Sequence, residues 1–142
     1  MMEFHHIGVA YASLEKAYKE CLPFAPQTYE SLAPKIFHVA SQKVNVCFIP
    51  LGTRGTGFFE LIEPTGEGSQ VANFLRRNIR YYHTGFLTVD LDSTVIELQD
   101  MGFKLLEIFP SEPFDHARCA FLVSATGTLF ELIEKPDLVQ GR

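Results

Sequence analysis

The stretches FFELIEP at residues 58–64 and LFELIEKP at residues 129–136 are almost the same apolar segment written twice, each with a carboxylate in its middle. Short, rich in Phe, Leu and Ile, and closed by Pro, each reads as a β-strand. Side chains alternate across a strand, so Phe58, Glu60 and Ile62 share one face and Phe59, Leu61 and Glu63 the other. The second copy divides in the same way, with Leu129, Glu131 and Ile133 opposed to Phe130, Leu132 and Glu134. Glu60 and Glu131 are therefore equivalent positions of equivalent strands, planted where Val or Ile would pack more easily. Glu63 and Glu134, at the strand ends, are expected to face solvent.

Working outward, the duplication extends to whole modules. EFHHIGVAYA is β-prone, and SLEKAYKECL sets Leu14, Ala17, Tyr18 and Cys21 at helical spacing behind a Ser13 N-cap. A proline-punctuated loop, CLPFAPQTYESLAP, leads to three strands in KIFHVA, KVNVCFIPLG and GTGFFELIEP. VANFLRRNIR then forms a short helix whose apolar face is Val71, Phe74 and Leu75. The pattern restarts with the strand YYHTGFLTVD and the helix STVIELQDMGF ending at Gly102, and it closes with strands in FKLLEIF, ARCAFLVSA and GTLFELIEKP. The expected architecture is α+β: two tandem βαβββ modules pairing their sheets around a shared metal-binding cavity. In a single domain spanning 1–142, module 1 covers about 1–64, a linker helix 65–80, module 2 about 81–136 and a short tail 137–142. The register of the repeat holds at residue level, since HIGV at 6–9 matches HTGF at 83–86 while Glu60 matches Glu131. Six fewer residues separate the second pair of matches, a difference absorbed by the longer loop after the first helix.

Composition fits a single packed domain. Hydrophobic residues make up 46% and charged residues 20% of 142, ordinary for a globular chain with a core. The formal net charge of −5 opposes a phosphate-backbone partner, so no nucleic acid is expected. No apolar run reaches the ~18 residues of a membrane span, and MMEFHHIGVA lacks the regions of a signal peptide; a cytoplasmic protein with no membrane partner is expected. Cys21, Cys47 and Cys119 show no CxxC spacing and are expected to be buried, inert thiols.

The chemistry lies in the paired positions. His6 and His83 each open an H-x-G segment on the first strand of a module. Related by a pseudo-twofold, His6, Glu60, His83 and Glu131 converge. A single His on an apolar strand is more often structural than a ligand, and the symmetric pairing of all four carries the metal reading. Two imidazoles and two carboxylates in one cavity are costly unless compensated, and a divalent cation compensates them. The set suits Ni, Co, Mn, Zn or Fe.

On these residues, and on SLEKAY, VNVCFIPLG, the linker VANFLRRN and AFLVSATGTLFELIE, nearly the whole chain resembles the vicinal oxygen chelate superfamily of glyoxalase I, methylmalonyl-CoA epimerase, extradiol dioxygenases and bleomycin-resistance proteins. The layout from VNVCFIPLG through ELIEPTGEGSQVANFLRRN is most similar to the epimerase branch. The resemblance implies that His6, Glu60, His83 and Glu131 hold one divalent metal ion, and that the protein is a homodimer. Two departures stand out: LVSATG replaces the HPK that epimerases commonly carry, and the strand VNVCF has no acid.

Within that resemblance, a metal-dependent isomerase, epimerase or lyase is expected to stabilise the enolate or enediolate of a small acyl thioester or 2-oxo compound, in the manner of methylmalonyl-CoA epimerase or glyoxalase I. Glu131 is the expected base and Glu60 its counterpart on the other face. His38 and His116 are the remaining candidates for contact with a small-molecule substrate. Arg76, Arg77 and Arg80 fit either an anion site or a solvated helix face. The alternative is a non-catalytic binding or resistance protein of the same fold. An extradiol dioxygenase, with two His and one Glu around Fe(II), leaves Glu60 unexplained.

Overall fold

The computed structural model describes residues 2–29, 34–52 and 56–137. Part of the expected loop at 30–33, residue 55 of the expected strand GTGFFELIEP, and the expected tail beyond Asp137 lie outside these residues. Among the described residues, eight strands and three α-helices run in the order β1 (Met2–Ala10), α1 (Leu14–Cys21), β2 (Phe37–Val39), β3 (Val44–Leu51), β4 (Gly57–Pro64), α2 (Gln70–Arg76), β5 (Tyr81–Thr88), α3 (Leu91–Asp100), β6 (Lys104–Ser111), β7 (Ala117–Val123) and β8 (Leu129–Glu134). This is the expected βαβββ pattern twice over, joined by α2.

The described residues fall into two compact units, one of residues 6–82 and the other of residues 83–137 together with 2–5. In the first, the strands lie in the order β2-β3-β4-β1, with β1 parallel to β4 and the other pairs antiparallel. In the second, the order is β5-β8-β7-β6, with β5 parallel to β8. Helices α1 and α3 thus lie in the connections that let β1 pair with β4, and β5 with β8, in parallel.

One face of each sheet is closed by its own helix. Leu14, Ala17, Tyr18 and Cys21, the predicted apolar stripe of α1, pack on Cys47, Ile49 and Leu61. In the second unit Leu91 and Val95 of α3 pack on Ala120, Leu122 and Leu132. Burying each such Leu or Ile contributes roughly 1.5–3 kcal/mol. Leu61 and Leu132 are the residues directly after Glu60 and Glu131, so both acids point to the face that the helix does not cover.

Local chemistry explains the ends. Ser13 caps α1, its Oγ accepting from the Lys16 N–H at 3.4 Å. Helix α3 starts at Leu91, two residues earlier than the spacing predicts, because Asp90 is the cap and accepts from the Ser93 N–H at 3.1 Å. It stops before Gly102, whose φ of +95° is left-handed. Strand β2 is shorter than expected: a 3-10 turn follows at Ala40–Gln42, and Lys43 adopts φ +53°. Edge strand β6 is longer than expected and bulged between Leu105 and Glu107. All three cysteines are free and buried, and burial pushes the Cys47 thiol up to about 12. No helix among the described residues is long and apolar enough to cross a membrane.

Candidate metal centre

Each unit carries one buried His–Glu pair on its uncovered sheet face. In the first, His6 stands on β1 and Glu60 on the adjacent β4, with His6 Nε2 3.4 Å from Glu60 Oε1. In the second, His83 of β5 and Glu131 of β8 repeat the arrangement at 3.6 Å. Exposure is 0% for His6, 6% for Glu60, 2% for His83 and 4% for Glu131, a level at which Glu is rarely found without a partner that stabilises its charge.

The register explains the H-x-G spacing. Gly8 lies opposite Glu60 and Gly85 opposite Glu131. Two residues after each His, on the same face, the strand therefore presents no side chain where the carboxylate lies. On the other flank Phe48 lies opposite Glu60 and Phe121 opposite Glu131. Phe48 meets the His6 ring edge-on at 5.8 Å, and Phe121 meets His83 at 5.4 Å. Phe58 packs edge-on against Phe48, while Phe109 stacks on Phe121 at 5.1 Å. Each pair thus sits in an aromatic wall of low polarity, where charge–charge interactions are stronger than in water.

The donor set fits a divalent ion. Imidazole and carboxylate ligands bind such ions at about 2.0–2.2 Å, so adjacent ligands stand about 2.8–3.1 Å apart in octahedral and about 3.3–3.6 Å apart in tetrahedral geometry. The observed 3.4 and 3.6 Å agree within a few tenths of an ångström. Both exceed the ~2.7–2.9 Å of a charge-assisted hydrogen bond.

The second acid of each repeat corrects the expectation of a solvent-facing residue. Glu63 Oε2 accepts from the Leu14 N–H at 2.7 Å, and Glu134 Oε2 accepts from the Leu91 N–H at 2.9 Å. Both thus close the first turn of their own module's helix, where orphan N–H groups and the positive end of the helix dipole favour an anion. Glu134 also pairs with Arg118, at 3.1 and 3.3 Å. First the Arg118 hydrogen bonds and then the Leu91 N–H hold its carboxyl below the usual range. The signal was present in sequence, since each E-L-I-E stretch places its acids on opposite faces and only one face is covered by a helix.

The other expected residues lie elsewhere. His38 is exposed, and its Nδ1 is 3.0 Å from Asn45 Oδ1. Asn45 in turn donates to Glu63 at 3.3 Å, which puts His38 on the helix-covered face, opposite the one carrying Glu60. His116 is exposed with φ +60°, in the turn between β6 and β7. Arg76, Arg77 and Arg80 are all exposed, and the Arg76 guanidinium donates to the Asn73 side chain. Phe48, Phe121, Gly8 and Gly85 were missed as site residues; the repeat marks the glycines, whereas strand register alone reveals the phenylalanines.

Comparison with known proteins agrees with the fold. Residues 5–121 match the Glyoxalase/Bleomycin resistance protein/Dioxygenase superfamily. No curated protein matches the chain. Among solved structures, a hypothetical protein from Bacillus halodurans is similar at 26% identity and a TM-score of 0.72, with 94% of each chain covered. A Streptomyces coelicolor methylmalonyl-CoA epimerase variant, in complex with 2-nitronate-propionyl-CoA, is 25% identical over 94% of this chain and 96% of that one, at a TM-score of 0.71. The methylmalonyl-CoA epimerase of Mycobacterium tuberculosis shares the fold at 23% identity and a TM-score of 0.72, covering 97% of this chain and 91% of that one. With the family matched over most of its length and the tandem βαβββ modules in place, the chain belongs to the glyoxalase/bleomycin resistance protein/dioxygenase superfamily.

Proposed function

We propose that the protein is a metal-dependent isomerase, epimerase or lyase acting on a small acyl thioester or 2-oxo compound, with one divalent ion held by His6, Glu60, His83 and Glu131. In this reading the two modules, about 1–64 and 81–136 with the linker helix between them, contribute one His–Glu pair each. The observation that carries it is the duplicated, buried His–Glu pair, one ligand atom available from each of the four residues. Membership of a superfamily that includes glyoxalases, and similarity to methylmalonyl-CoA epimerases, support the reaction class.

When bound, such an ion supplies Lewis-acid stabilisation, several kcal/mol, of the negative charge that develops on a substrate oxygen as a proton leaves the neighbouring carbon. The chain's own residues do the rest. Glu131 takes the proton onto a carboxylate oxygen, and Glu60, its counterpart in the first module, returns one from the opposite face. Phe48 and Phe121 pack edge-on against the two imidazoles and flank the carboxylates with apolar surface, which fixes the orientation of both pairs. Free, buried cysteines suit a reducing cytoplasm. Exposed Leu106 and Ile108 on edge strand β6 suit burial in a homodimer.

Solvent deuterium exchange tests the proposal. Metal-loaded protein should exchange the proton beside the carbonyl of at least one member of a panel of thioesters and hemithioacetals, and Glu131→Gln, which removes a ligand and the base together, should slow that exchange by at least about 10²-fold. Binding of panel compounds with no metal-dependent exchange would instead assign the non-catalytic binding role.

A further inference from the structure

Resting on that reading, the structure also narrows the substrate class. A cleft of about 360 Å³ opens in the second unit at the ends of β5 and β8, within the roughly 300–1,000 Å³ of small-molecule pockets. Its floor is Leu87 and Ile133, which lie opposite one another in register. By strand parity both share a face with His83 and Glu131, and Ile133 is two residues from Glu131, about 6.8 Å along the strand. Phe114 and Ala117 form its walls. The cleft therefore lies along the same strands as the second His–Glu pair, with a mixed lining in which Leu87, Phe114 and Ala117 stand beside Asp115, Glu134, Lys135 and Asp137.

Its rim is acidic. Among the described residues, Asp115 and Asp137 line it beside one cation, Lys135, whose Nζ lies 3.6 Å from Asp137 Oδ1. Glu134 also lines it, with its carboxylate held by Leu91 and Arg118. Among the described strand residues, no Lys or Arg shares the first unit's site face. On the second unit's face the one cation is Lys104, at the exposed start of β6 and at the opposite end of that strand from Ser111 and the cleft. Anionic rims repel polyanions and apolar floors favour uncharged groups.

We infer that this cleft seats the non-reacting part of the substrate, and that the substrate is an uncharged acyl or 2-oxo compound with a short apolar group, not an ester of a nucleotide-bearing thiol. This separates the chain from the Streptomyces coelicolor epimerase, which was captured with a CoA ligand.

The test compares one acyl group on two thiols: the propionyl thioester of N-acetylcysteamine, which is neutral, and that of coenzyme A, which is polyanionic. Binding is followed by amide NMR of the whole protein, with and without metal. The neutral ester should shift the Leu87, Ala117 and Ile133 amides saturably even without metal, with a Kd at least tenfold below that of the CoA ester. Ala117→Phe, which fills the cleft, should weaken the neutral ester at least tenfold. Phe114→Ala, which opens it, should change the Kd in a protein with a native melting profile. Equal or tighter binding of the CoA ester, or cleft amides unmoved by the neutral one, would overturn the inference. Failure of the metal reading shows separately, as absence of metal uptake.

Discussion

Replacing Glu134 by alanine isolates the second acid of the repeat. The variant loses the hydrogen bond to the Leu91 N–H at 2.9 Å, on a residue that is 0% exposed, and the pair with Arg118. A hydrogen bond to a charged acceptor contributes about 1.5–3 kcal/mol. The ion pair, with the Arg118 side chain 45% exposed, adds about 0–1 kcal/mol. A loss of about 2–3 kcal/mol is expected at pH 7, dominated by the cap. At about 3–4 °C per kcal/mol for a chain of this length, Tm falls by roughly 6–12 °C. Because the Glu134 carboxyl is depressed below its ordinary 4.5, its contribution is fully present above that value and is lost as pH falls through the depressed one. The difference between wild type and variant should therefore shrink as pH falls below 4.5. Urea unfolding at pH 7 and at pH 3, with Arg118→Ala alongside, reads both. A variant within 0.5 kcal/mol of wild type, or an Arg118→Ala variant equally unstable, would refute the capping role.

By the same reasoning Glu63→Ala should destabilise the first unit by about 1.5–3 kcal/mol through the lost Leu14 N–H contact, read by urea unfolding at pH 7. Cys47, its thiol raised to about 12 by burial, should resist iodoacetamide at pH 8 in the folded protein and react only after unfolding, as mass spectrometry would show. Gly102→Ala meets no atom within 4 Å but must adopt φ +95°, so thermal melts should show a loss of about 1–2 kcal/mol from backbone strain alone.

Period-two alternation made the central pairs legible before any coordinates: Glu60 and Glu131 announce their face through Leu61 and Leu132. The fold class followed from writing the βαβββ pattern twice. What sequence hid depends on which segments meet. Glu63 and Glu134 look solvated until α1 and α3 fold back and present bare N–H groups to them. His38 falls on the wrong face because the β2–β3 register, with His38 opposite Asn45, cannot be read from KIFHVA. Helix α3 begins at Leu91 and not at Ser93, because Asp90 ahead of it accepts from the Ser93 N–H and caps the first turn.

The proposed function rests on one ion held by His6, Glu60, His83 and Glu131. Elemental analysis of protein purified without chelator, or reloaded with Ni, Co, Mn, Zn or Fe, tests it beside His6→Ala and Glu131→Gln, one variant from each pair. About one metal per chain in wild type, lost in both variants with their native melting profiles retained, is the expected result. Trace metal in all three proteins, or loss in only one variant, would contradict it.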